Sequence, residues 1–232
     1  MLTDDRVARY ARQLLVPGIG AEGQERLFAA RVRVVGAGPA AGPALLYLAQ
    51  AGVGRIWIDD PENVAPADLS AWLYTPGEIG WMRVEAARDA LARASRYVRV
   101  DAYPAGGVPD AALVLAPSTA QALIAAEASR RAGLPHVVAE VDGEGGTVVV
   151  VPPAAPCFAC NRATDSAGRP AVAGTAALGA LAALELVQLL ADPVSPRGRR
   201  LDLVRGVTAS RPTASLPGCG CGSPARGVVL PP

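Results

Sequence analysis

The residues whose types and spacing most directly indicate chemistry in this sequence are its four cysteines. They form two close pairs, Cys157-x-x-Cys160 and Cys219-x-Cys221. Thiolates at such spacings bind zinc tetrahedrally, and two pairs far apart in sequence would then fasten two distant segments to each other. Four protein ligands leave no open position for a catalytic water. The cysteines therefore predict a structural zinc site, with unliganded, reduced thiols as the alternative.

A turn of small residues is typical of phosphate binding. A β-branched segment at 31–35 runs directly into a turn of small residues that contains Gly36, Gly38 and Ala41, and a helix is predicted from Pro43. In such a turn the backbone comes close to phosphate, and the helix N-terminus adds free N–H groups and the positive end of a dipole. Pro39 removes one of those donors. The turn predicts nucleotide binding, although a strand-to-helix turn without a ligand would use the same residues.

Two acidic residues follow the next predicted strand. Asp60 ends that strand, where a carboxylate can accept hydrogen bonds from ribose hydroxyls. Glu62 comes shortly after it and can serve either the ribose or a magnesium ion. Together with the glycine turn, these acids predict a nucleotide site at the ends of the first two strands.

The elements that would position these residues alternate between strand and helix. The predicted strands are 31–35, 55–60, 98–103, 112–115 and 137–140, and the predicted helices between them are 43–51, 83–95 and 120–132. This alternation predicts an α/β fold, with a Rossmann-like, mostly parallel sheet and helices on both faces. A strand at 147–151 is predicted to return antiparallel, before an apolar helix at 175–190 and a strand at 201–204. The Pro-, Gly- and Ser-rich tail after residue 206 would be pinned by the zinc.

The chain is expected to form a single domain over residues 1–232. Its predicted parts are N-terminal helices at 1–30, a Rossmann-like core at 31–141, and an antiparallel extension at 142–232 that carries the four cysteines. Proline at the start of the helix after the glycine turn is expected to occupy the first helical position.

The composition narrows the classes of partner. All 22 basic residues are arginine, against 21 acidic residues, and the net charge is +1. No basic block favours nucleic acid or a membrane surface as a partner, and no mechanism that needs a lysine is open to this chain. The N-terminus has no apolar stretch typical of a signal peptide, so a cytoplasmic protein is expected. In that compartment, cysteine pairs favour metal over disulfides.

Several motifs together resemble the ThiF/MoeB/HesA family of ubiquitin-activating-type adenylyltransferases. They lie at residues 9–15, 23–27, 34–38, 47–54, 60–64 and 84–91, together with both cysteine pairs. The resemblance implies that ATP with magnesium binds at the glycine turn. It also implies that the C-terminal carboxylate of a ubiquitin-like sulfur carrier or a peptide attacks the α-phosphate, which forms an acyl-adenylate and releases pyrophosphate. A homodimer is implied as well.

Four residues match the family's functional positions. By resemblance, Asp60 is the ribose-binding acid and Glu62 a second acid of the site. Arg12 matches the arginine that reaches into the partner subunit's site, and Arg83 stands where the family has a lysine. Arginine keeps the charge of that lysine but changes its shape and hydrogen-bond geometry.

Other positions depart from the family pattern. The segment 68–72 has Ala71 where the family has a phosphate-binding arginine, and Thr119 stands where it has a magnesium-binding aspartate. The crossover loop at 162–175 contains no cysteine, which excludes a thioester through that loop. The alternative to an active enzyme is therefore a catalytically degenerate relative that binds a carrier or peptide as a scaffold. A nicotinamide oxidoreductase is disfavoured, because the chain lacks a lysine and a separate catalytic domain.

Overall fold

An eight-stranded sheet forms the centre of the molecule. The computed structural model describes residues 2–142, 145–162, 172–193, 198–204 and 207–222. Its strands are β1 (Arg31–Val35), β2 (Arg55–Asp59), β3 (Arg99–Ala102), β4 (Ala111–Val114), β5 (His136–Asp142), β6 (Gly145–Val151), β7 (Arg199–Val204) and β8 (Val207–Pro212). The strand order is β3-β2-β1-β4-β5-β6-β7-β8. The pairs among the first five strands are parallel, and those from β5 to β8 are antiparallel.

Helices cover both faces of this sheet, which confirms the predicted fold class. They are α1 (Asp4–Tyr10), α2 (Gly20–Ala29), α3 (Ala41–Ala51), α4 (Arg83–Ala94), α5 (Thr119–Arg131), α6 (Phe158–Asn161) and α7 (Val172–Ala191). The larger apolar core includes residues of α2, α3, α4 and α7, whereas α5 and α6 contribute to a second cluster that involves alternate residues of β5 and β6. Strand β4 is buried at all four positions, as expected for a central parallel strand.

Two expectations about element boundaries were wrong. Helix α3 begins at Ala41, so Pro43 is its third residue rather than its first. Proline is tolerated there because the first four N–H groups of a helix have no partner within the helix. Strand β8 was missed within the predicted tail, because its sequence has no strong strand pattern of its own and pairs with β7 as a hairpin. The division of the chain at residues 30 and 142 stays a prediction.

Helix α7 is the most apolar element of the fold. Its segment Gly174–Ala191 is long and apolar enough, by length and composition, to cross a membrane, and 56% of it is buried inside the protein. The helix packs against α3, β4, β5 and β6. This packing is that of a core helix.

The close approach of α7 to α3 depends on Gly179. A Cβ atom at this position would lie 2.0 Å from the carbonyl oxygen of Ala40, the residue that caps the N-terminus of α3. Any side chain would therefore push the two helices apart at the point where the glycine turn enters α3.

Two glutamines of the N-terminal motifs have a structural role. The side-chain amides of Gln13 and Gln24 both donate to the carbonyl oxygen of Ala51 at the end of α3, at 2.9 and 3.0 Å. Gln13 also donates to the side chain of Gln24 at 2.8 Å. The N-terminal segments thus hold the C-terminus of α3, the helix that carries the glycine turn at its other end.

Candidate nucleotide site and metal centre

The glycine turn lies at the carboxyl end of β1 and is tightly packed. Gly36 has a φ of +88°, and a Cβ atom there would lie 2.5 Å from the carbonyl oxygen of Leu115. Both backbone groups of Ala37 are engaged. Its N–H donates to Asp60 Oδ2 at 2.6 Å, and its carbonyl accepts the hydroxyl of Tyr74 at 2.8 Å. The turn is therefore fixed by side chains from the segment after β2.

Few backbone donors of this turn are available to a ligand. The N–H of Ala41 donates to the carbonyl of Gly38 at 2.9 Å, and Pro39 and Pro43 have no N–H. Within the part of the chain that the structure describes, the N–H groups of Gly38, Ala40 and Gly42 are the donors that this turn and the start of α3 can still offer to an anion.

Asp60 lies at the carboxyl end of β2 and is the anchor of the turn. Its side chain is 4% exposed. Besides the N–H of Ala37, it accepts the N–H of Glu62 on Oδ1 at 2.8 Å and Nη1 of Arg83 on Oδ2 at 3.1 Å. A carboxylate has about four acceptor positions, so these three short bonds leave about one, on Oδ1.

Arg83 joins two buried carboxylates. Its Nε and Nη2 donate to both oxygens of Asp68, at 2.9 to 3.1 Å, while Nη1 turns to Asp60. Asp68 is 2% exposed and Arg83 14%. The two carboxylates hold the guanidinium in place, and they raise the pKa of Arg83 against the opposing effect of burial. The structure thus brings together the glycine turn, Asp60 and Arg83, as the sequence predicts.

Tyr74 and Asp68 are parts of this site that sequence reasoning did not assign. Burial raises the pKa of the Tyr74 hydroxyl well above its ordinary value, so the group stays protonated and can donate to the turn. Tyr74 follows a short 3₁₀ helix at Pro66–Ala71 and is buried under the turn. No sequence pattern could have indicated this contact, because it links residues 37 positions apart.

The remaining predicted site residues lie in different surroundings. Glu62 is exposed next to Asp60, and its carbonyl accepts the N–H of Arg83 at 3.0 Å. Thr119 is the first residue of α5 and follows β4, at the same edge of the sheet as the glycine turn. Arg12 is exposed and lines a separate groove of about 640 Å³ between the N-terminal segment, α3 and α7. Part of the crossover loop, residues 163–171, lies outside the described residues.

The four cysteines meet at a second site. All four Sγ atoms lie within 4.8 Å of one another. The sulfur of Cys157 is 3.6 Å from that of Cys160 and 3.8 Å from that of Cys219, and Cys160 is 3.6 Å from Cys221. Sulfurs bound tetrahedrally at about 2.3 Å from zinc are about 3.8 Å apart. The cluster can therefore hold a metal ion of this kind, and the tail returns to the first pair as predicted.

The thiols of this cluster differ in acidity. Burial raises the pKa of Cys157 to about 12. Burial also acts to raise the pKa of Cys221, but hydrogen bonding with the backbone of Cys157 and with the side chain of Ser215 outweighs burial and lowers this pKa to about 6. A metal ion would have to displace the protons of the less acidic thiols, so its binding releases protons.

Contacts other than cysteine hold the first pair in place. Asn161, the last residue of α6, donates to the carbonyl of Cys157 at 2.9 Å and accepts the N–H of Ala214 at 2.9 Å. Nη1 of Arg200, on β7, donates to the carbonyls of Asn161 and Arg162 at 3.0 Å each. The short helix that carries Cys160 is thus tied both to the sheet and to the segment that leads to the second pair.

Comparison with known proteins identifies the family. The model of the ThiF family matches residues 10–221, which is most of the chain. The chain belongs to the ThiF family. This ThiF-family chain is similar to the sulfur carrier protein adenylyltransferase of Thermus thermophilus, with 42% identity over 103 residues, or 44% of the chain and 38% of that relative. It is also similar to the probable adenylyltransferase/sulfurtransferase MoeZ of Mycobacterium tuberculosis, with 41% identity over 100 residues, or 43% of the chain and 26% of MoeZ.

The fold is shared with a solved structure of E. coli MccB with AMPCPP and MccA. The TM-score is 0.77 over 95% of this chain and 75% of that chain, at 18% sequence identity. At this identity the likeness concerns the fold alone. The matches to the two sequence relatives cover less than two fifths of their lengths. These relatives are named as adenylyltransferases, and none of the comparisons supports the alternative of a degenerate scaffold.

Proposed function

We propose that this ThiF-family protein uses ATP to adenylate the C-terminal carboxylate of a ubiquitin-like sulfur carrier or a peptide. The observation that carries the proposal is the meeting of the glycine turn, Asp60 and Arg83 at the carboxyl edge of the parallel strands. Nucleotides bind in α/β folds at this edge, where the N-terminus of a helix faces the ligand. The names of the sequence relatives and the AMPCPP in the MccB structure support the same ligand class.

The backbone of the turn would receive the phosphates. Gly36 permits the bend, Gly38 offers an N–H, and Ala41 begins the helix whose positive end faces the site. Asp60 would accept a ribose hydroxyl on the acceptor position that remains on Oδ1. Glu62 is exposed beside it and would serve the ribose or a magnesium ion, which supplies positive charge to the phosphates when bound.

Transfer of a nucleotidyl group needs positive charge against the phosphate oxygens. Arg83 is the cation that the fold places next to the turn. Arg12 would supply a second one in the site of a partner subunit, because in its own chain it lines a separate groove. We therefore propose that the protein acts as a homodimer.

An apolar surface around Arg12 supports the homodimer. Leu15 is 83% exposed, Tyr47 53% and Leu184 51%, and the last two line the same groove as Arg12. Exposed apolar side chains that lie together mark protein interaction sites. A second copy of the chain on this surface would cover them and carry its Arg12 with it.

The cysteine cluster would hold zinc in a structural role. Its four ligands would fill the tetrahedron, so the metal would fasten the tail to the first pair and perform no chemistry. We also propose that the protein is cytoplasmic and acts on a carrier or peptide. Its net charge of +1 and the lack of a basic block in its sequence do not favour nucleic acid or a membrane as a partner.

Calorimetry with ATP and magnesium tests the proposal directly. The wild-type protein should bind ATP, and exchange of labelled pyrophosphate into ATP should depend on a carrier encoded beside the gene. Arg83→Gln should weaken ATP binding by about tenfold or more, because it removes a charge-assisted contact to phosphate. Arg31→Gln is the matched control, since Arg31 also pairs with a carboxylate, Asp110, but at the opposite edge of the sheet. Stable peptide binding without any binding of ATP would favour the scaffold instead.

A further inference from the structure

The guanidinium of Arg83 is held more firmly by Asp68 than by Asp60. Asp68 receives three hydrogen bonds from Nε and Nη2, of 2.9 to 3.1 Å, whereas Asp60 receives one of 3.1 Å and one of 3.5 Å from Nη1. A planar, two-point contact between arginine and a carboxylate is among the strongest polar contacts in proteins. Asp68 therefore takes up most of the hydrogen-bonding capacity of this cation.

The protein backbone holds Asp68 in position. Its Oδ2 also accepts the N–H of Ala65, at 2.9 Å, so the side chain closes the first turn of the 3₁₀ helix at Pro66–Ala71. The side chain is 2% exposed. Asp68 cannot turn away to solvent without breaking this cap.

Asp68 borders the open space next to Gly38 in the glycine turn. Apart from the adjacent residues of the chain, the one atom of the described residues within 4 Å of a Cβ built on Gly38 would be Oδ1 of Asp68, at 3.8 Å. The open space over Gly38 is therefore bordered by a carboxylate. A phosphate that accepts the N–H of Gly38 would meet this carboxylate and would compete with it for the same guanidinium.

The charges of the cluster also oppose a phosphate in the resting protein. One guanidinium stands against two carboxylates, so acidic groups outnumber the basic group in this cluster. Arg83 is in addition the first residue of α4, where the positive end of the helix dipole disfavours a cation. Arg83 is held at this position by its two acidic partners.

We propose that Asp68 is a positioning residue that competes with ATP for Arg83 and so limits the affinity of the resting site. ATP binds when Nη2 of Arg83 moves from Asp68 to a phosphate oxygen, while Nη1 stays with Asp60. The inference rests on the proposed use of ATP. It adds that the carboxylate of Asp68 lowers the affinity for ATP, and that a substitution of Asp68 should raise this affinity.

The test is calorimetry of ATP with magnesium on the full chain of the wild type, Asp68→Asn and Asp110→Asn. Asparagine keeps the size of Asp68 and an oxygen for the N–H of Ala65, but it loses the charge. We expect Asp68→Asn to bind ATP on the order of tenfold more tightly, because the neutral amide competes less well for Arg83. Asp110→Asn breaks a similar two-point contact, to Arg31, away from the crevice, and it should bind ATP like the wild type.

The outcomes separate the two proposals. Equal or weaker ATP binding by a folded Asp68→Asn protein, beside a wild type that binds, overturns the competition and leaves the adenylation proposal standing. Failure of all three proteins to bind ATP at millimolar concentration ends the proposed function itself. If circular dichroism shows that Asp68→Asn does not fold, Asp68→Ser takes its place, since serine is too short to reach the guanidinium. A purely structural role for Asp68 predicts a loss of affinity in either variant, never a gain.

Discussion

Replacement of Gly179 by alanine sets two physical effects against each other. Gly179 lies in the middle of α7, where alanine is a better helix former than glycine by about 1 kcal/mol. On propensity alone, Gly179→Ala would stabilise the protein. The added Cβ, however, would lie 2.0 Å from the carbonyl oxygen of Ala40 and 3.1 Å from its carbonyl carbon. Helix α7 and the start of α3 would have to separate by roughly 1.4 Å for the Cβ and this oxygen to reach ordinary van der Waals contact.

We expect the steric effect to be the larger one. Overpacking of this kind costs about 1–3 kcal/mol, and the obstacle here is backbone rather than a flexible side chain. The obstacle therefore puts the cost at the upper end, about 3 kcal/mol, and the gain of about 1 kcal/mol in helix propensity leaves a net cost of about 2 kcal/mol. For a chain of this size each kcal/mol lowers Tm by about 2–4 °C, so Tm should fall by about 4–8 °C. Because Ala40 directly follows the phosphate-facing part of the turn, ATP affinity should also fall, by about tenfold.

Thermal unfolding followed by circular dichroism, and calorimetry with ATP, measure the two effects. Gly77→Ala is the control, since a Cβ there meets no atom of the described residues within 4 Å and its φ lies outside the left-handed region. It should leave Tm and ATP affinity close to those of the wild type. A Gly179→Ala protein with a Tm equal to or above that of the wild type would refute the argument, and would show that α7 can shift at no cost.

Three further predictions concern other parts of the molecule. Elemental analysis of the purified protein should find about one zinc per chain. Cys160→Ser should lose the metal and, in thermal unfolding, should lower Tm by several degrees. A wild-type protein that contains no metal and is equally stable would contradict this prediction. Contacts with Arg130 lower the pKa of Glu127 from 4.5 to about 2, so its contribution to stability is present above about pH 4.5 and is lost as the pH falls towards 2. Glu127→Gln should therefore lower Tm slightly at pH 7 and make no difference near pH 2, whereas a difference that grows on acidification would be the wrong sign. Leu184→Arg should convert the dimer into a monomer, as measured by light scattering. Ile124→Arg should leave the dimer intact, because Ile124 lies on α5 and its side chain is 71% exposed there. A Leu184→Arg protein that stays dimeric would place the interface elsewhere.

Much of the parallel half of the fold could be predicted from the sequence because its signals are local. Strand β1 has the bounds that its three valines indicate, since β-branched residues favour strands. The antiparallel return of β6 follows from the glycine-rich turn that precedes it. Strand β8 could not be predicted in this way. Its amino-acid composition does not favour a strand, and it forms because it pairs with β7.

The candidate site shows the same division between local and distant signals. Gly36, Asp60 and the cysteine pairs stand at spacings with a chemical meaning of their own, so they were found without a structure. The contacts of Tyr74 and Gly179 join segments far apart in the chain, to the turn and to Ala40. No spacing rule encodes such contacts, since they depend on how helices and loops pack.

The sequence by itself determined most of the helices and the parallel strands. It also determined which residue types could bind a nucleotide or a metal, and it supplies no lysine for the chemistry. Only the tertiary structure decided which acidic groups the guanidinium of Arg83 contacts. The sequence places this arginine where a cation should meet phosphate, but the fold buries it between Asp60 and Asp68. Charge pairing in a buried site depends on distances between side chains, and those distances are fixed by the packing of the whole chain.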